Sequence, residues 1–251
     1  MLFTVAVADI QITVVNQCSQ TIWPGVWSQA DIPENGGFEL AAGAQQVLTV
    51  PTGWTAGRIW ARTGCTGSGT SLTCETGACG NGLQCNGTTG ATPASLAEIT
   101  MTSTTGGNDV YDVSYVDGSN IPVVMQPVDG TFTPDSSQGQ YYCAEAGACS
   151  QDLKTVVVAE LQDNVNGQLV GSLSACLATG DAQYCCTGAY DTPETCPTSN
   201  FPPQYYSDLK AVCPTAYMYA YDDTTSTFSC KGSSNPSPDY TVTFCPGGVG
   251  L

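Results

Sequence analysis

Residues 57–65 read Gly-Arg-Ile-Trp-Ala-Arg-Thr-Gly-Cys, and residues 74–85 read Cys-Glu-Thr-Gly-Ala-Cys-Gly-Asn-Gly-Leu-Gln-Cys. The first stretch begins as a short strand that is bounded by glycine on both sides. The second is rich in glycine and cysteine, and it holds too few apolar side chains to bury a core of its own. We therefore expect a strand of a β core that leads into a small, disulfide-held loop lobe over residues 63–93.

The cysteine count indicates an oxidising compartment. The chain has 14 cysteines, an even number, and no two of them have the Cys-x-x-Cys spacing of common zinc sites. Disulfides are therefore the natural interpretation, and we expect neither a metal site nor a cofactor. Charged residues make up only 11% of the chain, a composition typical of extracellular proteins.

The charge balance narrows the classes of partner and of chemistry. Asp and Glu number 22 against five Lys and Arg, so the formal net charge is −17. Such a field repels nucleic acids and anionic membrane surfaces but not neutral polysaccharides. Because the chain contains no histidine, a Ser-His-Asp triad is excluded, and acid–base chemistry falls to carboxylates, tyrosines or lysines.

Short segments rich in β-branched and aromatic residues predict strands throughout the chain. We expect them at residues 10–15, 46–50, 58–62, 96–101, 110–116, 216–221 and 240–244. Helical spacing of apolar residues predicts helices at 152–162, 173–179 and 204–212. The spacing and turn chemistry of the strands favour a sandwich or a barrel. We expect this β core to comprise residues 10–62, 94–150 and 214–251, with a disulfide-rich lobe of short helices at 151–213.

The first residues resemble the end of a secretory leader. Residues 1–8 are apolar apart from Thr4, and alanine occupies positions 6 and 8, so we expect a leader remnant at residues 1–9 and a mature chain that begins near Asp9. No stretch of 18 uninterrupted apolar residues occurs, so we expect no transmembrane helix. A secreted protein, in the extracellular space or the cell wall, is the resulting expectation.

The quoted stretches resemble the signature of the thaumatin-like family. Further matches follow in the family's order over nearly the whole chain: Leu96-Ala-Glu98, Tyr111-Asp-Val-Ser, Val116-Asp-Gly-Ser-Asn-Ile-Pro122, Tyr184-Cys-Cys186 and Val242-Thr-Phe-Cys-Pro246. The resemblance implies a mainly β protein with a flattened sandwich core, a disulfide-rich lobe with short helices, and a small disulfide-stapled loop lobe. Ala78 departs from the pattern, which usually has Asp at that position.

The resemblance also implies the disulfide pairs. They are Cys18–Cys245, Cys65–Cys74, Cys79–Cys85, Cys143–Cys230, Cys149–Cys213, Cys176–Cys185 and Cys186–Cys196. One cysteine pair of the family pattern is missing from residues 150–175, and its loss as a unit leaves no odd thiol.

Many relatives have a cleft lined by one arginine, one glutamate and three aspartates, and each has a counterpart here. The resemblance assigns Arg58, Glu98, Asp112, Asp117 and Asp223 to that cleft. Paired carboxylates suit glycoside hydrolysis, in which one donates a proton and another stabilises the sugar cation, attacks it or activates water. We expect Glu98 to be the proton donor and Asp112 its partner, with Arg58, Asp117 and Asp223 binding substrate.

The function therefore expected is cleavage of cell-wall β-1,3-glucan by a monomeric endo-acting hydrolase. The alternative is a glucan-binding or antifungal defence protein without turnover, and a third class is a proteinaceous inhibitor or a sweet-tasting protein. The strongly acidic composition fits the sweet-tasting class poorly. Asn86-Gly87-Thr88 is a glycosylation sequon, and we expect it on a loop.

Overall fold

The computed structural model describes residues 9–80, 82–103 and 106–250, and within these it forms eleven strands and four short α-helices. The leader expected at residues 1–9 lies outside the described residues except for Asp9. The strands are β1 (Ile10–Asn16), β2 (Trp23–Trp27), β3 (Gln45–Val50), β4 (Gly57–Arg62), β5 (Leu96–Thr100), β6 (Asp109–Ser114), β7 (Val123–Pro127), β8 (Gln162–Val165), β9 (Gln168–Ser172), β10 (Phe228–Cys230) and β11 (Tyr240–Phe244). The helices are α1 (Ala175–Thr179), α2 (Ala182–Cys185), α3 (Ser207–Val212) and α4 (Asp223–Ser226).

Two sheets form a β-sandwich, so the protein is mainly β as the sequence predicts. One sheet has the strand order β3-β1-β11-β7, the other has the order β10-β6-β5-β4-β2, and β8 and β9 form a separate hairpin. Strands alternate in burial, as in β1, where Ile10, Ile12 and Val14 are fully buried. The inner faces of both sheets meet in one hydrophobic cluster. Between them, the rings of Tyr111 on β6 and Tyr240 on β11 pack edge to face at 5.3 Å.

Seven disulfides tie distant parts of the chain together. The bridge between Cys18 and Cys245 spans 227 residues of sequence and lies beside the parallel pair of β1 and β11. The remaining bridges are Cys65–Cys74, Cys79–Cys85, Cys143–Cys230, Cys149–Cys213, Cys176–Cys185 and Cys186–Cys196. In the chain-entropy model a closure as long as the first contributes roughly 5 kcal/mol.

A buried arginine attaches the segment 63–93 to the core. Arg62, at the end of β4, is 1% exposed, and its guanidinium donates to the carbonyl oxygens of Trp23, Pro24, Gly82 and Leu83 at 2.7–3.2 Å. Burial without a facing carboxylate lowers the pKa of Arg62 to about 10. The carbonyl oxygens of β2 and of the loop therefore replace the water that the guanidinium loses.

Two expected elements differ from the structure. The helix expected at 152–162 is replaced by two 3-10 turns, Leu153–Thr155 and Ala159–Leu161, because the run Thr155-Val-Val-Val158 is β-branched and disfavours a helix. The strand expected at 216–221 is reduced to one bridge, Ser114 to Tyr217, followed by a turn. A carboxylate oxygen of Asp222 accepts from the backbone N–H of Met218 and holds this turn.

The fold predicts how its own stability depends on pH. The fully buried carboxyl of Asp109 on β6 accepts hydrogen bonds from Ser237, Tyr240 and the backbone of Thr102 at 2.7–2.9 Å. Burial nevertheless raises the pKa of Asp109 from 3.8 to about 6. A raised folded-state pKa adds stability that is fully present below pH ~4 and is lost as the pH rises through about 6. The free energy of unfolding, relative to that of Asp109→Asn, should therefore grow by up to about 3 kcal/mol between pH ~7 and pH ~4.

Urea unfolding with intact disulfides at a series of pH values measures this difference. Asp135→Asn is the control of opposite sign, because hydrogen bonds from Ser137 and Gln138 lower the pKa of the exposed Asp135. The stabilising contribution of the Asp135 carboxylate should therefore decrease, and not increase, as the pH falls. The free energies of unfolding of the unaltered protein and of Asp109→Asn should differ by an amount that depends on pH. A difference that does not change with pH would contradict the raised pKa of Asp109.

Candidate functional site

A row of charged side chains crosses the middle of the five-stranded sheet. Arg58 on β4 pairs with Glu98 on β5, and Glu98 pairs with Asp112 on β6. Directly opposed residues of antiparallel strands point to the same face, with Cβ atoms about 4.5–5.5 Å apart. The neighbouring positions Ile59, Ala97 and Ile99 are buried in the core, so alternation turns the charged row away from it.

Arg58 binds the glutamate of this row. Its Nε donates to Glu98 Oε1 at 2.7 Å, and its guanidinium lies 5.9 Å from the centre of the Trp27 ring on the adjacent strand β2. The Arg58 side chain is 40% exposed, so the ion pair contributes little to stability. Its effect is to orient the Glu98 carboxylate and to favour the charged form.

Asp112 has the opposite environment. Its Oδ1 atom is buried and has no hydrogen-bond partner among the described residues. Burial, and next the negative charge of Glu98, raise the pKa of Asp112 well above its ordinary value. A buried, unpartnered carboxyl beside a second carboxyl favours the protonated form, in which its oxygens carry no net charge.

The pKa of Glu98 is also raised, but here opposing effects compete. Burial is the largest cause, and the charge of Asp117 adds to it, whereas the charge and hydrogen bond of Arg58 lower the pKa. The two carboxyls therefore titrate as a coupled pair. Glu98 is paired with the cation Arg58, whereas the described residues provide no hydrogen-bond donor to Asp112 Oδ1.

The row opens into a cavity of about 380 Å³. It is lined by all five residues that the resemblance assigns to a cleft, together with Ser114, Val116, Tyr217 and Ala220. The sequence does not predict a place for Tyr217 in this cavity, because the residue lies inside a predicted strand. Its hydroxyl donates to Asp223 Oδ1 at 2.8 Å and lies 2.5 Å from Thr227 Oγ1, so it orients a carboxylate on the cavity wall.

A lysine whose side chain is only 13% exposed holds the segment that carries this wall. Lys210 on α3 donates to Asp222 Oδ2 at 2.8 Å, to the Ala216 carbonyl at 2.7 Å and to Ser226 Oγ at 2.6 Å. The hydroxyl of Tyr206 donates to the other oxygen of Asp222 at 2.8 Å. These bonds fix both ends of residues 216–226, from which Tyr217 and Asp223 project.

Asn86 of the expected glycosylation sequon is exposed and lies on a turn. Its backbone φ is +47°, in the left-handed region that asparagine tolerates better than most residues. Its side-chain amide donates to the Gln84 carbonyl at 3.1 Å. Modification of this residue stays a prediction.

The β-sandwich, the seven bridges and the acidic cavity together define a disulfide-rich protein of the thaumatin type. The chain belongs to the thaumatin family, whose model matches residues 16–246. Thaumatin-like protein 1 of Pyrus pyrifolia is 43% identical over 245 residues, which are 96% of this chain and 92% of the relative. Pathogenesis-related thaumatin-like protein 3.5 of Cryptomeria japonica is 44% identical over 237 residues, covering 93% of this chain and 89% of the relative.

Solved structures share the fold at much lower identity. A glycoside hydrolase family 64 laminaripentaose-producing β-1,3-glucanase from Paenibacillus barengoltzii, solved with laminarihexaose, matches with a TM-score of 0.59 and 14% identity. The match covers 94% of this chain and 74% of the glucanase. A laminaripentaose-producing β-1,3-glucanase solved with laminaritetraose matches with a TM-score of 0.56 and 12% identity, covering 94% of this chain and 98% of that one.

The lysine network predicts a local effect on the cavity wall. Lys210→Met keeps the aliphatic stem but leaves the Asp222 carboxylate buried without its cation, which should cost about 3 kcal/mol of stability. Hydrogen–deuterium exchange should then show faster exchange across residues 216–226, because both ends of that segment lose a donor.

Lys154→Met is the matched control for this measurement. Lys154 pairs with the buried Asp152 at 3.2 Å, away from the cavity, so its loss should speed exchange near residues 152–155 and leave 216–226 unchanged. Unaltered protection of 216–226 in Lys210→Met would show that the lysine does not hold the wall.

Proposed function

We propose that this protein is secreted and hydrolyses β-1,3-glucan of cell walls in its acidic cavity. The observation that carries the proposal is the directly opposed pair of Glu98 and Asp112. Arg58 binds the Glu98 carboxyl, and no donor in the described part of the chain reaches the buried Oδ1 of Asp112. Two carboxyl groups with different environments are what glycoside hydrolysis requires.

The substrate class follows from the charges of the cavity. Among the described residues that line it, Arg58 is the one cation and four side chains are carboxylates, so an anionic polymer is disfavoured. Sugar hydroxyls can donate hydrogen bonds to Asp117 and Asp223. Glucanases of the same fold were solved with laminarihexaose and laminaritetraose, which supports a β-1,3-linked chain as ligand.

The roles that we propose for Glu98 and Asp112 are the reverse of those expected from the sequence. In the free protein the pair shares one proton, and we place it on Asp112, because Arg58 stabilises the negative charge on Glu98. Asp112 would then protonate the glycosidic oxygen as the bond to the anomeric carbon breaks. The Glu98 carboxylate would stabilise the sugar cation, attack it or activate the water that completes hydrolysis.

The remaining residues bind and orient the sugar. Asp117 and Asp223 accept hydrogen bonds from its hydroxyls, and Tyr217 holds the Asp223 carboxylate in place. The proposed reaction needs no metal or cofactor, and a monomer carries every residue that it uses. Relatives named pathogenesis-related proteins support a role in defence. The place of action that we propose is the extracellular space or the cell wall. In the described residues, no helix is long and apolar enough to cross a bilayer.

Substrates with different leaving groups separate the two carboxyl roles. Asp112→Asn should lower the release of reducing ends from laminarin by about 10²-fold or more, the usual scale for loss of a general acid. It should retain most activity on an aryl β-1,3-oligoglucoside, whose phenolate leaves without a proton. Glu98→Gln should lose activity on both substrates, because both need its carboxylate.

Glu160→Gln and Asp129→Asn are the controls, because each replaces an exposed acid outside the cavity by its amide. The rates on laminarin and on the aryl substrate should both stay unchanged. The reverse pattern, with the aryl substrate spared in Glu98→Gln, would return the proton-donor role to Glu98. Glucan binding by the unaltered protein with no release of reducing ends would favour the alternative, a binding protein without turnover.

A further inference from the structure

The outer face of the five-stranded sheet continues beyond the charged row. Side chains two residues along a strand point to the same face, and the strand pairing aligns Thr100 with Val110. Val110 in turn pairs with Ser229 on β10. An uncharged row therefore lies immediately beside the charged row on the same surface of the sheet.

A second cavity of about 220 Å³ lies over this uncharged row. Ala56, Thr100 and Val110 line it, and it shares Arg58, Glu98 and Asp112 with the acidic cavity. The carboxyl pair therefore lies between two cavities instead of at the closed end of one. A ligand that reaches the pair from the acidic side can continue across it.

The chemistry of the second cavity differs from that of the first. Val110 is 46% exposed, so its apolar side chain is available to a ligand in this cavity. Thr100 Oγ1 accepts a hydrogen bond from the backbone N–H of Ala56 at 3.1 Å, which leaves the hydroxyl proton free to point elsewhere. Apart from the shared charged row, this cavity offers an apolar surface and a hydroxyl, which suit the C–H face and the hydroxyls of a pyranose ring.

We propose that the second cavity is a subsite for the β-1,3-glucan residues on the far side of the bond that is cleaved. The inference rests on the proposed function and extends it. The acidic cavity binds one part of the glucan through hydrogen bonds to its hydroxyls. The second cavity, at Val110, binds the other part through apolar contact. A chain bound in both cavities is open at both ends, so cleavage occurs within the polymer.

Binding of oligosaccharides of different length tests the subsite without relying on turnover. Val110→Gln fills the cavity with a longer, hydrated and uncharged side chain, and it leaves the charges around the carboxyl pair unaltered. Calorimetric titration should show an affinity for laminarihexaose that is about tenfold lower than in the unaltered protein. We expect laminaritriose to bind in the acidic cavity, so its affinity should stay within about twofold.

Val47→Gln is the matched control. Val47 is also an exposed strand valine, at 41%, but it lies on β3 in the other sheet, so its replacement should change neither affinity. An equal affinity of Val110→Gln and the unaltered protein for laminarihexaose would overturn the subsite alone, and so would an equal loss for both sugars. No binding of either sugar by the unaltered protein would overturn the proposed function and the subsite together.

Discussion

The register of three antiparallel strands is the constraint on which the site depends. Pairing of Arg58 with Glu98, and of Glu98 with Asp112, holds only while β4, β5 and β6 keep their alignment. A slip of one residue would turn the charged row into the core and bring Ile59, Ala97 and Ile99 to the surface. Burying three charges would cost free energy, and this cost disfavours any slipped register of the strands. The alternation of apolar residues along each strand favours the same register.

The acidic cavity also depends on contacts between parts of the chain that are far apart in sequence. Its floor comes from β4, β5 and β6, whereas its wall comes from residues 216–226, held by Lys210 from α3. The bridge Cys149–Cys213 ends beside α3 and ties that helix to the core segment before it. Burial raises the pKa of Glu98, Asp109 and Asp112 in the same direction, so each of these carboxyls favours the folded state more strongly at acidic pH.

The sequence predicts the central strands and the five cavity residues because both follow from local patterns and a family resemblance. It misses β2 and β7, which lie at sheet edges and contain Pro24 and Pro127, residues that argue against a strand everywhere except at an edge. It also misses the hairpin of β8 and β9 and the three-residue strand β10. Tyr217 and Lys210 were missed because their importance arises from hydrogen bonds to Asp223 and Asp222 that no spacing reveals. The contrast between Glu98 and Asp112 likewise depends on which carboxyl receives the Arg58 hydrogen bond, and that is a property of the folded sheet.

We infer that the shared proton resides on Asp112 and the negative charge on Glu98. Carboxyl ¹³C chemical shifts of Asp and Glu, followed by nuclear magnetic resonance from pH ~3 to pH ~8 and assigned with Asp112→Asn and Glu98→Gln, measure this directly. We expect the Asp112 carboxyl to stay protonated to a higher pH than the Glu98 carboxyl. An Asp112 carboxyl that ionises in the ordinary aspartate range, while Glu98 remains protonated, would contradict it.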